Sequence, residues 1–261
     1  MPDFLSKLID DAQKRIYAGY YSVLETVEHQ PISLKSAIKS AKNNAIIAEI
    51  KPISPVRGPL RPEIDAEDTA IKLERGGATG LSVLTEPDNF GGSIESLRKV
   101  RRRVSIPLLM KDIVVDKTQI QAAKRYGADC ILLIESVFSK HPAMPLDELD
   151  ELLQFAHESN LEVLLETHNK DELDRALKSE ADIIGVNNRN LATLEIDLLT
   201  TTRLLENLTD RGDKTIISES GIETSADIRK LRHVALDGFL IGSSLMLSDD
   251  LEGKIREFVL A

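Results

Sequence analysis

Short apolar runs rich in Ile, Val and Leu recur along the chain, separated by stretches whose apolar positions follow a helical period. AIIAEI (45–50), GLSVL (80–84), IPLLM (106–110), CILLI (130–134), EVLLE (162–166), IIGV (183–186), KTIIS (214–218) and GFLI (238–241) read as eight strands. Several are apolar on both faces, which marks strands buried between helices in a parallel sheet rather than strands with one wet face. The junctions repeat as well. LERGGATGLSVL (73–84) and AKRYGADCILLI (123–134) each run from a basic helix end through a glycine suited to a left-handed cap into a strand. Asn169-x-x-Glu172 and Thr224-x-x-Asp227 read as capping boxes at helix starts. Ahead of the first strand, Phe4, Leu5, Leu8, Ile9, Ala12 and Ile16 fall on one helical face, and Ser33 is placed to cap a second helix in SLKSAIKSAKN.

Eight βα units predict a closed (β/α)₈ TIM barrel spanning residues 1–261 as one domain, with residues 1–44 as an N-terminal helical extension. A doubly wound open sheet is the alternative, and it ordinarily brings a glycine-rich phosphate turn after its first strand. Here that turn is PISPVRG, which fits neither G-x-G-x-x-G nor G-x-x-x-x-G-K-[ST].

The composition, 42 % hydrophobic and 29 % charged, is that of a globular chain. No run approaches the roughly 20 apolar residues of a spanning helix, and MPDFLSKLIDDAQKR is acidic and amphipathic, unlike a signal peptide. The expectation is a soluble cytoplasmic protein. A net charge of −10 opposes nucleic acid and anionic membranes as partners. The basic run KVRRRV (99–104) reads as a solvated helix end. Cys130 stands alone, which excludes internal disulfides and cysteine-cluster metal sites; within CILLI it reads as a buried, inert thiol.

A charge at a strand's end is ordinarily the chain meeting water, but five strands here end in polar or charged residues. Glu49 and Lys51, two apart, share a face at the end of the first strand. Lys111 and Asp112 end the third and Glu166 the fifth; Asn187 and Arg189 follow the sixth, and Glu219 and Ser220 the seventh. Only a closed barrel brings these ends to one rim. Lysines among carboxylates suit general acid/base work, because opposite charge and burial tune their pKa values. They suit metal binding less, and no metal is expected. Asp112 taken alone reads as a turn residue, and His168 with Asn169 as a helix start. Gly221, Gly242 and Ser243 follow strands seven and eight, where barrels commonly bind phosphate through backbone N–H groups. Ser54 is placed to reach the same anion.

AEIKPISP with Gly58, SVLTEPDNFGGS, LLMKD, GADCILLI, LLETHN, GVNNRNL, SESGI and LIGSSLM together resemble the indole-3-glycerol phosphate synthase family, in that family's order across roughly residues 45–246. The resemblance implies ring closure of 1-(2-carboxyphenylamino)-1-deoxyribulose 5-phosphate with loss of carbon dioxide and water, without cofactor or metal. It implies Lys111 as the acid at the ribulose carbonyl, Lys51 as the partner of the anthranilate carboxylate or a second acid, and Glu166 as the acid/base of the dehydration. It further implies Glu49, Glu219 and Asn187 as polarising and positioning groups, Arg189, Ser220, Phe90 and Leu132 as substrate neighbours, and Ser54, Gly221, Gly242 and Ser243 as the phosphate cradle. Val56 and Ile113 depart from the family's usual Ser-Pro-Ser-Lys-Gly and Lys-Asp-Phe runs. The competing readings are another phosphate-binding barrel enzyme such as phosphoribosylanthranilate isomerase, whose usual acid/base pair includes a cysteine, and a non-catalytic phosphate-binding barrel. The phosphorylated small molecule is the expected partner, and the oligomeric expectation is a monomer or weak homodimer.

Overall fold

Every side chain of β1 (Ala45–Ile50), β2 (Gly80–Leu84), β4 (Cys130–Ile134), β6 (Ile183–Asn187), β7 (Thr215–Glu219) and β8 (Gly238–Ile241) is buried, so these strands have apolar or internally paired neighbours on both faces. With β3 (Leu108–Lys111) and β5 (Glu162–Thr167) they form a closed, all-parallel barrel in the order β1-β2-β3-β4-β5-β6-β7-β8, with β1 pairing both β2 and β8. The computed structural model describes residues 4–22, 25–61, 63–141 and 144–261. Helices follow the strands and pack outside them. Closure removes every edge of this eight-stranded sheet and turns all eight C-terminal strand ends to one rim.

Four strands differ in their bounds from the hydrophobic pattern, and the extensions at their C-terminal ends matter for the site. β5, β6 and β7 extend through Thr167, Asn187 and Glu219, so the polar residues that the pattern puts at or after the strand ends are held by the ladder itself. β3 begins at Leu108 rather than Ile106, because Pro107 has no N–H to give.

α1 (Phe4–Tyr17) and α2 (Leu34–Lys39) form the N-terminal extension, α2 with Ser33 as its cap. A helix of 14 residues is marginal alone, and its exposed Lys7–Asp11 pair contributes only tenths of a kcal/mol. Burial of Leu8 and Ile9 contributes roughly 1.5–3 kcal/mol each and decides its position. Arg15, also buried, donates to Glu86 at 2.8 Å and to Asp88 at 2.6 Å, tying α1 to the loop after β2.

Two local arrangements differ from those the sequence pattern predicts. The Asn169 start is not a reciprocal capping box: Asn169 accepts from the Glu172 N–H, but the Glu172 carboxylate takes the N–H of His168 instead of that of Asn169. The Thr224–Asp227 box is reciprocal. KVRRRV is not wholly solvated. Arg102 and Arg103 are exposed, but Arg101 turns inward and meets Asp129 at 3.0 Å. Asp129 also accepts the N–H groups of Ile32 and Leu108 and contacts His29, joining the N-terminal segment to the lower rim. Cys130 is fully buried, and burial raises its thiol pKa.

Arg101→Met should leave the Asp129 carboxylate buried without its cation and cost about 3 kcal/mol, read as a lower urea midpoint with an unchanged m value.

Candidate active site

The odd-numbered strands send one charged side chain each into a single layer at the top of the barrel: Glu49 from β1, Lys111 from β3, Glu166 from β5 and Glu219 from β7. Four side chains from alternate strands is the layer geometry of this barrel type; here the layer is ionic rather than apolar. Lys111 Nζ donates to Glu166 Oε2 at 3.0 Å and to Glu219 Oε2 at 2.7 Å. Lys51, one pleat above Glu49 on the same strand face, donates to Glu49 Oε1 at 2.5 Å.

The layer needs space that the even strands provide. A Cβ on Gly185 of β6 would lie 1.9 Å from Glu219 Oε1, and one on Gly242, just after β8, would lie 2.5 Å from Glu49 Oε1. Both glycines are places where a carboxylate replaces a side chain.

Burial governs the protonation of these groups. For Lys111 burial favours the neutral amine, but Glu219, Glu166 and Glu49 outweigh it and hold the ammonium well above the usual lysine range. Burial also drives Glu219 upward, with Lys111 opposing and Glu166 assisting, and its carboxyl ends well above the usual carboxylate range. Glu166 goes the other way. Burial would raise it, yet Lys111 and His168 pull it well below the ordinary value. Two neighbouring carboxylates driven apart in this way are the pattern of an acid and a base.

Arg189 and Asn187 close the next side. The Asn187 carboxamide oxygen accepts the Arg189 N–H at 2.9 Å, and Arg189 Nη1 donates to the Leu194 carbonyl, fixing the loop after β6. Burial lowers the Arg189 pKa. Ser220, Gly221, Gly242, Ser243 and Ser244 line the rim beyond β7 and β8, and Ser220 and Gly221 adopt positive φ of 66° and 82°. A Cβ on Gly221 would meet Ile196 at 2.5 Å. Phe90 and Leu132 form part of the apolar wall. Phe90 is set by buried Glu86, whose carboxylate accepts its N–H at 3.0 Å.

Of the residues singled out from sequence, the cavity wall unites all but Ser54. Ser54 is buried beneath the turn after β1, where its hydroxyl accepts the Arg57 N–H. Arg57, passed over as a site residue, reaches the wall and pairs with Glu223. Asp112 is more than a turn residue. It is buried in the wall, accepts from Thr85 at 2.6 Å and Tyr21 at 3.1 Å, and is raised by burial. Leu8 of α1 also lines the cavity. Its apolar periodicity showed a buried face but not what that face covers.

A closed parallel barrel with helices outside it, whose upper layer is an ion cluster and whose last two strands end in a Gly-Ser rim, places the chain in the TIM-barrel class. Among solved structures, thiamine phosphate pyrophosphorylase from Pyrococcus furiosus aligns with a TM-score of 0.61, covering 87 % of this chain and 96 % of that one at 15 % identity, a likeness of fold alone. The sequence comparisons are narrower. The family model described as indole-3-glycerol phosphate synthase matches residues 6–258. The proteins named indole-3-glycerol phosphate synthase from Aquifex aeolicus and Methanocaldococcus jannaschii are 45 % and 43 % identical; the alignments cover 82 % and 91 % of this chain and 80 % and 86 % of the relatives. The chain belongs to the indole-3-glycerol phosphate synthase family.

Gly185→Ala should push the Glu219 carboxylate off Lys111 and lower kcat about 10²-fold, with far-ultraviolet circular dichroism unchanged.

Proposed function

We propose that this protein closes 1-(2-carboxyphenylamino)-1-deoxyribulose 5-phosphate to indole-3-glycerol phosphate, releasing carbon dioxide and water. The observation that carries the reading is Lys111, held as an ammonium between Glu166 and Glu219 at the cavity floor. The carbon of the anthranilate ring that bears the carboxylate attacks the ribulose carbonyl, whose oxygen takes a proton from Lys111. Carbon dioxide then leaves and its bonding electron pair returns to the ring, restoring aromaticity. The hydroxyl departs as water once a proton reaches it, and a base removes the neighbouring C–H proton to form the indole double bond. The closure, decarboxylation and dehydration involve no net oxidation or reduction, so the reaction calls for no redox cofactor.

Lys51 receives the anthranilate carboxylate, and its bond to Glu49 holds it in place until the substrate arrives. Glu166, kept ionised, is the base of the dehydration. Glu219 is the carboxyl group that exchanges a proton with Lys111, the two being 2.7 Å apart. Asn187, Arg189 and Ser220 orient the ribulose hydroxyls, and Phe90 and Leu132 pack on the aromatic ring. Gly221, Gly242 and Ser243 cradle the phosphate with backbone N–H groups. Arg57 adds its charge there, and Ser54 acts through Arg57 by holding the turn. Among the described residues no helix is long and apolar enough to cross a membrane. The cytoplasm, and a monomer or weak homodimer, are the proposed setting. The isomerase reading is less favoured because Cys130 lies inside β4, fully buried, and not at the rim.

A fluorescence assay for indole-3-glycerol phosphate, run with EDTA, tests the reaction; absence of turnover by protein that binds the substrate points to the non-catalytic barrel. Lys111→Ala should lower kcat by about 10²–10⁴-fold and leave substrate affinity within about twofold. An equal loss of affinity and turnover would remove Lys111 from the acid role.

A further inference from the structure

His168 follows β5 directly and stands behind Glu166, away from the reacting cavity. Its Nε2 lies 3.2 Å from Glu166 Oε1, an ion-pair contact without hydrogen-bond alignment that leaves this buried nitrogen no other partner among the described residues, while Lys111 Nζ donates to the other oxygen, Oε2, at 3.0 Å. Its Nδ1 lies 3.0 Å from Glu172 Oε2. Glu172 is fully buried and closely held: it accepts the His168 N–H at 2.7 Å and the Asn169 side-chain amide at 2.6 Å, and it pairs with half-exposed Lys140 at 2.6 Å. The imidazole itself is absent from the catalytic cavity wall. It faces a neighbouring polar cavity that it lines with Ser136 and Lys140.

We propose that His168 is a positioning residue: bridging Glu172 to Glu166, it holds Glu166 Oε1 and so keeps Oε2 directed at Lys111 and the reacting atoms. The inference rests on the part given above to Glu166 in the synthase reaction. The carboxylate has one free torsion after its carbons are packed, and a second cation on its rear oxygen removes that freedom. Burial alone would drive the imidazole neutral, but the two carboxylates outweigh burial and raise its pKa to about 9. The charged groups around it are Glu166 from β5, Glu172 and Lys170 from the helix Lys170–Lys178, Lys140 from the helix Glu135–Lys140, and Arg189 and Arg203 across the polar cavity. Among the described residues, the two carboxylates are the groups at ion-pair distance from its ring nitrogens. Because the pKa is raised, the clamp is complete at neutral pH and is lost as pH rises through about 9.

The test is kcat and KM of the full chain from neutral pH to about pH 10. The wild type should lose kcat along an alkaline limb near pH 9, with KM steady. His168→Gln should lower neutral-pH kcat about 10- to 100-fold, leave KM within about twofold and remove that limb. Glu172→Gln keeps the imidazole but takes away one carboxylate, so the limb should move to lower pH. An unchanged kcat in folded His168→Gln, or a limb that stays where it is in both variants, overturns the proposal. Should the glutamine variant not fold, the His168 ring can be titrated by NMR in the wild type and in Glu172→Gln, resolved among the five histidines by sequence-specific assignment. A midpoint near 9 that falls in Glu172→Gln supports the clamp, and an ordinary midpoint near 6.5 overturns it. Wild-type protein without synthase turnover would defeat the functional reading instead, and the titration would still decide the clamp.

Discussion

Three carboxylates buried in one layer of a barrel repel one another and lose their hydration, and Lys111 is the cation that makes the layer tolerable. Its ammonium meets Glu166 and Glu219 directly, and the field of Glu49 adds to theirs. Remove the closure of the barrel and these groups return to separate strand ends in water, where each pair would be worth little. In the closed barrel the same charges sit in a low dielectric and act strongly on one another. The apolar layers below therefore support the chemistry indirectly: they close the ring of strands that forces the charges together.

The N-terminal extension is part of the same arrangement. Arg15 of α1 bonds Glu86 and Asp88, and its other guanidinium nitrogen lies 3.8 Å from Asp112, the residue after Lys111. Tyr21 bonds Asp112 as well. The segment before the first strand thus reaches the lysine's own strand end, and Leu8 forms part of the cavity wall. A chain that had evolved the barrel alone would present an open, wetter mouth with Asp112 lacking two of its partners.

His168 extends the ionic layer outward through Glu172 to Lys140 at the surface. Charges here alternate in sign from the cavity to solvent, so each buried group has an opposite neighbour. Such alternation lets a single lysine and a single histidine hold Glu166 ionised against the burial that would protonate it.

Much of this was legible in the chain. Eight apolar runs separated by helical periods announce a parallel barrel, and two-residue spacing puts Glu49 and Lys51 on one face, because strand periodicity is local and every residue carries its own share of it. Polar residues ending five strands pointed to one rim. Other features were decided by tertiary structure. That Arg101 turns inward to Asp129 while Arg102 and Arg103 stay in water follows from the position of the next βα unit, which KVRRRV does not contain. That Ser54 is buried while Arg57 reaches the wall depends on how the turn folds over β1. That Gly185 and Gly242 make room for carboxylates depends on contacts across the barrel, between residues 34 and 193 positions apart. Local periodicity specifies which face of an element is buried; only closure specifies what that face meets, because the partners are distant in sequence and their charges interact through space that the fold alone creates.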